Sequence, residues 1–240
     1  MWDKILSGIQ EFFLNLGDRF YINFIKNDRW KYLTDGLAVT LIITFFAVLI
    51  GIILGFVVAF IRSTYDKTKK LRFLNLLCNI YLTVIRGTPV VLQLLIIYFV
   101  VFGAWDINKV FAAVIAFGIN SGAYVAEIMR SGIMSVPEGQ LEAGRSLGFT
   151  YLQTMRYIIL PQAFKNVLPA LGNEFIVLLK ETSVSGYIAL QDLTKGGDII
   201  RSRTYDAFFP LVAVAIIYLG MVMIFQHFVK KLERRLQNGH

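Results

Sequence analysis

Polar and charged side chains recur at helical spacing inside long apolar stretches of this 240-residue sequence. Asn120, Tyr124 and Glu127 fall at i, i+4 and i+7, one face of one helix. Asn173 and Lys180 stand seven apart, as do Glu174 and Glu181, on two adjacent faces of another. Arg86 opens the run Arg86-Gly87-Thr88-Pro89, and Gln93 lies seven residues beyond Arg86. A charge at bilayer depth costs at least ~2.5–3.5 kcal/mol, so each is a candidate functional position. The residue types suit reversible binding of a zwitterion along a water-filled path. Arg86 can pair a carboxylate bidentately, Glu174 or Glu127 can take an ammonium group, and Thr88, Gln93, Asn120 and Tyr124 offer neutral hydrogen bonds, with Asn173 beside Glu174. Blander readings stand next to these: Arg86 snorkelling to an interface, and Glu127 with Arg130 as a surface pair. Lys180, Glu181, Thr182 and Ser183 fall at the outer edge, where gating competes with plain solvation. His227 has no second ligand nearby, so no metal site is expected, and no nucleophile constellation is present.

The elements that must position these groups are membrane helices. The chain is 56% hydrophobic and 17% charged, less charge than a soluble domain normally carries. No charged residue occurs between Asp35 and Arg62; as a helix that run is roughly 39 Å long, enough to cross the bilayer with some tilt. Residues 207–229 likewise hold no Asp, Glu, Lys or Arg. The apolar pattern predicts an all-α membrane bundle with about five spans: 36–61, 71–102, 107–130, 161–181 and 207–229. The stretch 71–102 reads as one broken helix or as two short ones. Residues 36–232 form one membrane domain, with residues 233–240 as a cytoplasmic tail. Residues 1–32 show no secretory signal. There Ile5, Leu6, Ile9, Phe12, Phe13, Leu16 and Phe20 recur at helical spacing. This predicts an amphipathic segment within residues 1–35, lying at the interface or packed on the bundle. The single Cys78 excludes an internal disulfide.

The net charge of +8 speaks to topology rather than to nucleic acid. With the carboxyl end inside, segments 62–72, 130–165 and 230–240 carry 13 Lys and Arg, against 4 in the outer connections 103–109 and 183–206. The bias predicts N-out, C-in.

Residues 135–160 between the third and fourth spans predict a cytoplasmic pair of short helices. Ser135-Val136-Pro137-Glu138 matches a capping box, opening a helix to about Leu147. Gly148 supplies the left-handed position that ends helices. Thr150-Tyr151-Leu152-Gln153 is a second capping signal for a helix to Leu160, and Pro161 opens a new helix. Gly51-x-x-x-Gly55 and Gly118-x-x-x-Gly122 predict close helix packing.

Glu142-Ala143-Gly144, Gly148 and Ile158-Ile159-Leu160-Pro161 resemble, slot by slot, the EAA signature of ABC-importer permeases; Gly144 in the third position is the one departure. Arg86-Gly87-Thr88-Pro89, Gln93, Asn120-Ser121-Gly122-Ala123-Tyr124 and Lys180-Glu181-Thr182-Ser183 are similar to the polar-amino-acid branch of that family. The resemblance covers residues 33–232. It implies that Glu142, Ala143, Gly144, Gly148, Ile158, Leu160 and Pro161 couple the chain to a cytoplasmic ATPase, which binds the ATP and Mg. It implies no cofactor in this chain, a second permease chain (a copy or a relative), an extracytoplasmic substrate-binding protein, a polar amino acid as cargo, surrounding membrane lipid, and a multi-pass place in the cell membrane. Alternating access is the implied mechanism. The chain carries no Gly-x-x-x-x-Gly-Lys-Ser/Thr phosphate loop, so it is not expected to be an enzyme. A self-sufficient secondary transporter or channel would also use intramembrane charges; the lack of a repeated half with paired broken helices counts against it.

Overall fold

The computed structural model describes residues 15–237. Ile5, Leu6, Ile9, Phe12 and Phe13 of the expected N-terminal helix therefore lie outside the described residues, as do residues 238–240 of the tail. From residue 15 a helical segment passes through a π turn, Tyr21–Ile25, and a 3-10 turn, Lys26–Asp28. Its end is pinned. Arg19 donates to both carboxylate oxygens of Asp206 at 3.0 and 2.9 Å, and buried Asn23 donates to Asp206 and accepts from Thr204. Phe20, Tyr21, Ile22 and Ile25 meanwhile stay exposed.

Helix α1, Trp30–Thr68, overruns the predicted 36–61 at both ends. It stops at Lys69, whose left-handed backbone turns the chain while its N–H still bonds Tyr65 O. Helices α2, Arg72–Gly87, and α3, Val90–Leu95, follow, α3 running on through a π turn, Ile96–Val101. The two arms meet at 110° at Thr88-Pro89. Pro89 has no N–H and holds its neighbour extended, and Thr88 is extended at φ −123°. Helix α4, Lys109–Met134, is capped by Asn108, whose side chain accepts from Val110 N–H. Helices α5, Glu138–Ser146, and α6, Tyr151–Thr154, make the predicted pair; a π turn, Met155–Ile159, then leads into α7, Leu160–Glu181. A 3-10 turn, Thr182–Ile188, is followed by α8, Leu193–Thr204, and α9, Phe208–Gln237.

The α1/α4 seam is the centre of the bundle, and its glycines allow it. A β-carbon on Gly51 would sit 2.8 Å from Ser121 Oγ, on Gly55 2.6 Å from Val125 Cγ1, and on Gly118 2.8 Å from Ile50 Cγ2. Both Gly-x-x-x-Gly motifs thus pack as predicted. The register, with 51 beside 121 and 55 beside 125, makes α1 and α4 parallel. Parallel neighbours require the chain between them to cross back once. So α2 and α3 together form one broken crossing, which resolves the alternative left open by the sequence. α2 packs low, Cys78 and Leu82 against Val58, Ala123 and Ala126, and α3 packs high, Leu94 against Ile43, Ala47 and Phe117. α7 runs antiparallel to α4, with Val167 against Gly132 and Glu174 at Ser121. α9 returns along α7, with Val229 on Gly172 and Phe225 beside Phe175. Five crossings result among the described residues. Among the described residues, only α1, α4 and α9 are both long and apolar enough to span by composition alone, with the bent pair as a fourth. α7 is 22 residues long but is diluted by Lys165, Asn166, Asn173, Glu174 and Lys180.

Three predicted local features differ. Ser135 does not cap α5: the N-cap is Pro137 without any side-chain cap. Proline's fixed φ starts a helix by itself, and Ser135 is left to close α4, donating to Gly132 O and accepting from Asn166. Pro161 does not open a separate helix, because the π turn just before it absorbs the missing N–H and the helix continues. Helix α8 lies within the predicted outer connection 183–206; Asp192 caps it, accepting from Thr194 N–H and Lys195 N–H.

Candidate functional site

A cleft of about 500 Å³ opens between α4 and α7, lined by Tyr124, Glu127, Ser131, Asn166, Ala170 and Glu174 among others. Its position follows from local sequence. Small residues along α4, Gly118 to Ala126, draw α1 in on one side, which leaves the Tyr124 and Glu127 side turned toward α7. Glu174 sits at the closed end. It is 8% exposed, and its Oε1 accepts from Ser121 Oγ at 2.8 Å. Ser121 is at the middle of α4, so this carboxyl lies within the membrane-spanning part of the bundle.

Glu127 is ringed by three guanidinium groups from three helices. Oε2 accepts from Arg62 Nη1 at 3.4 Å and Arg86 Nη1 at 3.3 Å, and Oε1 stands 3.8 Å from Arg130 Nη1. Arg130 also pairs Asp66 at 3.0 Å, and Arg86 lies 5.9 Å from the centre of the Tyr124 ring. The predicted Glu127–Arg130 pair is therefore one edge of a network with excess positive charge, and Arg86 is paired rather than snorkelling. Arg62 and Asp66 are members that no spacing rule links to Glu127. Their signal was position: one turn apart at the inner end of the first span.

Gln93, Thr88 and Asn120 are brought together, but not as free donors facing a path. Gln93 Nε2 donates to Ile85 O, Thr88 O and Thr88 Oγ1 at 2.7, 3.0 and 2.8 Å, and Gln93 Oε1 accepts from Asn120 Nδ2 at 2.9 Å. Thr88 Oγ1 donates to Val84 O. A helix broken at a proline leaves carbonyls that membrane interior cannot solvate; these side chains satisfy them. Gln93 and Asn120 are buried in this role, and Thr88 stays exposed. Asn173 is exposed on α7 and does not line the cleft that holds Glu174, since neighbours in a helix point about 100° apart.

The four outer residues separate as well. Lys180 is exposed and Glu181 half-buried, while Thr182 is buried and donates to Leu179 O. Thr182 thus closes α7, and Ser183 follows it in the 3-10 turn.

At the opposite end α5 and α6 fold back on each other. Gly148 has φ +85°, and Phe149 N–H bonds Gly144 O across it. Thr150 and Gln153 form the predicted capping box in both directions. Gly144 is buried, and a β-carbon there would lie 2.6 Å from Thr154 Cγ2; the one departure in the motif is thus where the hairpin is tightest. Ile158 and Leu160 pack inward while Glu142, Ala143 and Pro161 face out. The tip shows apolar surface: Leu147 is 76% exposed, Leu152 63% and Tyr157 63%. No cluster of metal-ligating side chains occurs among the described residues.

Five crossings among the described residues, with a polar cleft between α4 and α7 and a hairpin knob at the inner face, define a multi-pass transport subunit. Residues 47–238 match the family described as binding-protein-dependent transport system inner membrane component. The arginine transport system permease protein ArtQ of Bacillus subtilis is 38% identical over 210 residues, covering 87% of this chain and 94% of that protein. The glutamine transport system permease protein GlnP of Escherichia coli K12 is 40% identical over 161 residues, 66% of this chain and 74% of its own. The crystal structure of an amino acid ABC transporter with histidines superposes with a TM-score of 0.78 at 45% identity, covering 85% of this chain and 94% of that one. The MetNI methionine ABC transporter in an inward-facing conformation shares the fold, with a TM-score of 0.76 at 20% identity. The chain belongs to the family of binding-protein-dependent transport system inner membrane components. It is a permease subunit of an ABC importer and a multi-pass protein of the plasma membrane, and its family implies an ATPase and a substrate-binding protein as partners.

Proposed function

We propose that this chain imports a polar L-amino acid, as one half of a permease dimer in which each copy or relative supplies a cleft and a coupling knob. A separate ATPase binds the ATP and Mg and seats the knob in a cleft of its own. Its closure pushes residues 135–160, and because α6 runs without a break into α7, the push reaches Glu174 along one continuous helix. In the inward-open state the ammonium of the cargo meets Glu174, its carboxylate meets Arg86 or a neighbouring arginine at Glu127, and Lys180 to Ser183 border the outer opening. Residues 36–232 are the transporting domain and residues 1–35 an accessory segment. The names of the relatives, arginine and glutamine transport permeases, support the cargo class. The observation that carries the reading is the exposed apolar tip, Leu147, Leu152 and Tyr157, on a hinge fixed at Gly148: such surface on a rigid cytoplasmic hairpin calls for a protein partner.

The test pairs purification with transport. Tagged chain solubilised from its own cells is expected to carry a nucleotide-binding subunit. Leu147→Asp with Leu152→Asp is expected to lose that subunit and ATP-dependent amino-acid uptake together. Retention of both would refute the coupling role.

A further inference from the structure

The cytoplasmic extension of α9 carries a charged face that transport does not use. His227, Lys230, Lys231, Arg234 and Arg235 fall at i, i+3, i+4, i+7 and i+8, on one side of the helix, around a recess of about 390 Å³. All five are exposed, and none of the four Lys and Arg forms an ion pair with an acidic side chain among the described residues. Glu233, the one acidic residue of the stretch, lies off that face by helical spacing. The opposite side is already occupied: Val214, Met221, Phe225 and Val229 pack toward the bundle, with Phe225 beside Phe175 and Val229 on Gly172.

What covers the basic face follows from the stripe above it. Ile216, Leu219 and Met223, 62%, 59% and 61% exposed, lie on the same side of α9 one to three turns earlier. At that depth an exposed apolar side faces hydrocarbon. From Phe208 to Val229 the helix is roughly 33 Å long, about the thickness of the hydrocarbon core, so the cations emerge at headgroup level in line with the acyl-facing stripe. We propose that this face is a binding site for an anionic phospholipid of the inner leaflet, its chains along Met223 and up to Leu219 and its phosphate among Lys230, Lys231, Arg234 and Arg235. An acidic partner protein would meet only the cations; a lipid matches cations and stripe together. The proposal depends on the inward placement of the carboxyl end and is independent of the cargo.

The full chain is reconstituted in phosphatidylcholine vesicles with trace spin-labelled phosphatidylglycerol or phosphatidylcholine, and the relative association of the two probes is read from the motionally restricted fraction. Wild type is expected to prefer phosphatidylglycerol. Changing Lys230, Lys231, Arg234 and Arg235 to Gln is expected to lower the preference, by up to roughly fivefold for each charge removed. A second variant that exchanges Lys for Arg and Arg for Lys at the same four positions is expected to keep it, which separates charge from misfolding. Equal preference in wild type and the Gln variant overturns the proposal. Loss of the preference on adding inorganic phosphate at matched ionic strength also overturns it, since the site would then be one for a free anion. A Gln variant that keeps its lipid preference but no longer co-purifies with the ATPase assigns the face to a protein and overturns it too.

Discussion

Glu174 and Gln93 are both buried polar side chains, and they do opposite work. Gln93 holds structure: its amide nitrogen serves three acceptors at the α2/α3 break and its oxygen takes Asn120. Leucine there fits the volume but strands the Ile85 and Thr88 carbonyls. An unsatisfied buried acceptor costs about 1–3 kcal/mol, so Gln93→Leu is expected to lower the melting temperature of the detergent-solubilised chain, and uptake is expected to fall only in step with the amount of folded protein. Among the described residues Glu174 accepts a hydrogen bond from Ser121 alone, and it lines the cleft. Glutamine keeps an acceptor for Ser121 and removes only the charge. Glu174→Gln is expected to leave thermal stability in place while uptake at limiting amino acid drops roughly tenfold, the equivalent of ~1.4 kcal/mol. Unchanged uptake would take Glu174 out of the path. The sequence marked both residues as costly at membrane depth. It could not say which was spent on the backbone, because that depends on where a 110° bend leaves carbonyls open.

At the level of elements, glycines fix how close helices come, and two of them oppose backbone rather than side chain. A β-carbon on Gly36 would lie 2.5 Å from Asp192 O, and one on Gly196 2.3 Å from Tyr32 O. Neither wall can move freely, since Asp192 caps α8 and Leu193 N–H bonds Thr40 Oγ1. Alanine in a helix gains up to ~1 kcal/mol over glycine, but overpacking costs about 1–3 kcal/mol. Gly36→Ala and Gly196→Ala are therefore expected to destabilise on balance. Gly220→Ala on α9, with nothing within 4 Å, is expected to be neutral or slightly stabilising; thermal melts of the three would show it. The same outer layer has an acid limit. Hydrogen bonds from Lys195 and then Arg201 hold the Asp198 carboxyl below its usual value. For a depressed carboxylate the stabilisation is complete above the unfolded value, near 3.9, and disappears as pH falls through the lower folded one. Amide exchange in α8 is thus expected to rise only below about pH 4. Much of the element pattern was legible: the apolar spans, the break at Thr88-Pro89, the turn at Gly148 and the Thr150 cap each rest on a local rule. Helix α8 was not, because its sequence, Leu-Thr-Lys-Gly-Gly-Asp, carries two glycines that argue against a helix until one sees them seated on Tyr32 and Val214. Ser135 misled for a similar reason: the capping pattern was present, and Pro137 made it unnecessary.

Across the whole molecule one packing fact decides topology. Parallel α1 and α4 are compatible with an odd number of crossings and with one net passage for α2 and α3; two full passages would have made them antiparallel. Charge then sets the sign, since 13 Lys and Arg lie in the segments beside the inner ends and 4 in the outer connections. Gln140 and Tyr205, both exposed and far apart along the bundle axis, report the two faces. Cys78 is buried and is replaced by Ala to leave a silent background. In intact cells lacking an outer membrane, a Tyr205→Cys chain is expected to react with a membrane-impermeant maleimide, and a Gln140→Cys chain only after the membrane is opened. The reverse pattern would put the hairpin tip, Leu147 and Leu152, beyond the reach of any cytosolic ATPase. Labelling of both from outside would mean that α7 does not cross, which its antiparallel packing on α4, with Val167 at Gly132 and Glu174 at Ser121, forbids. The experiment therefore tests the helix packing and the coupling route with the same two cysteines.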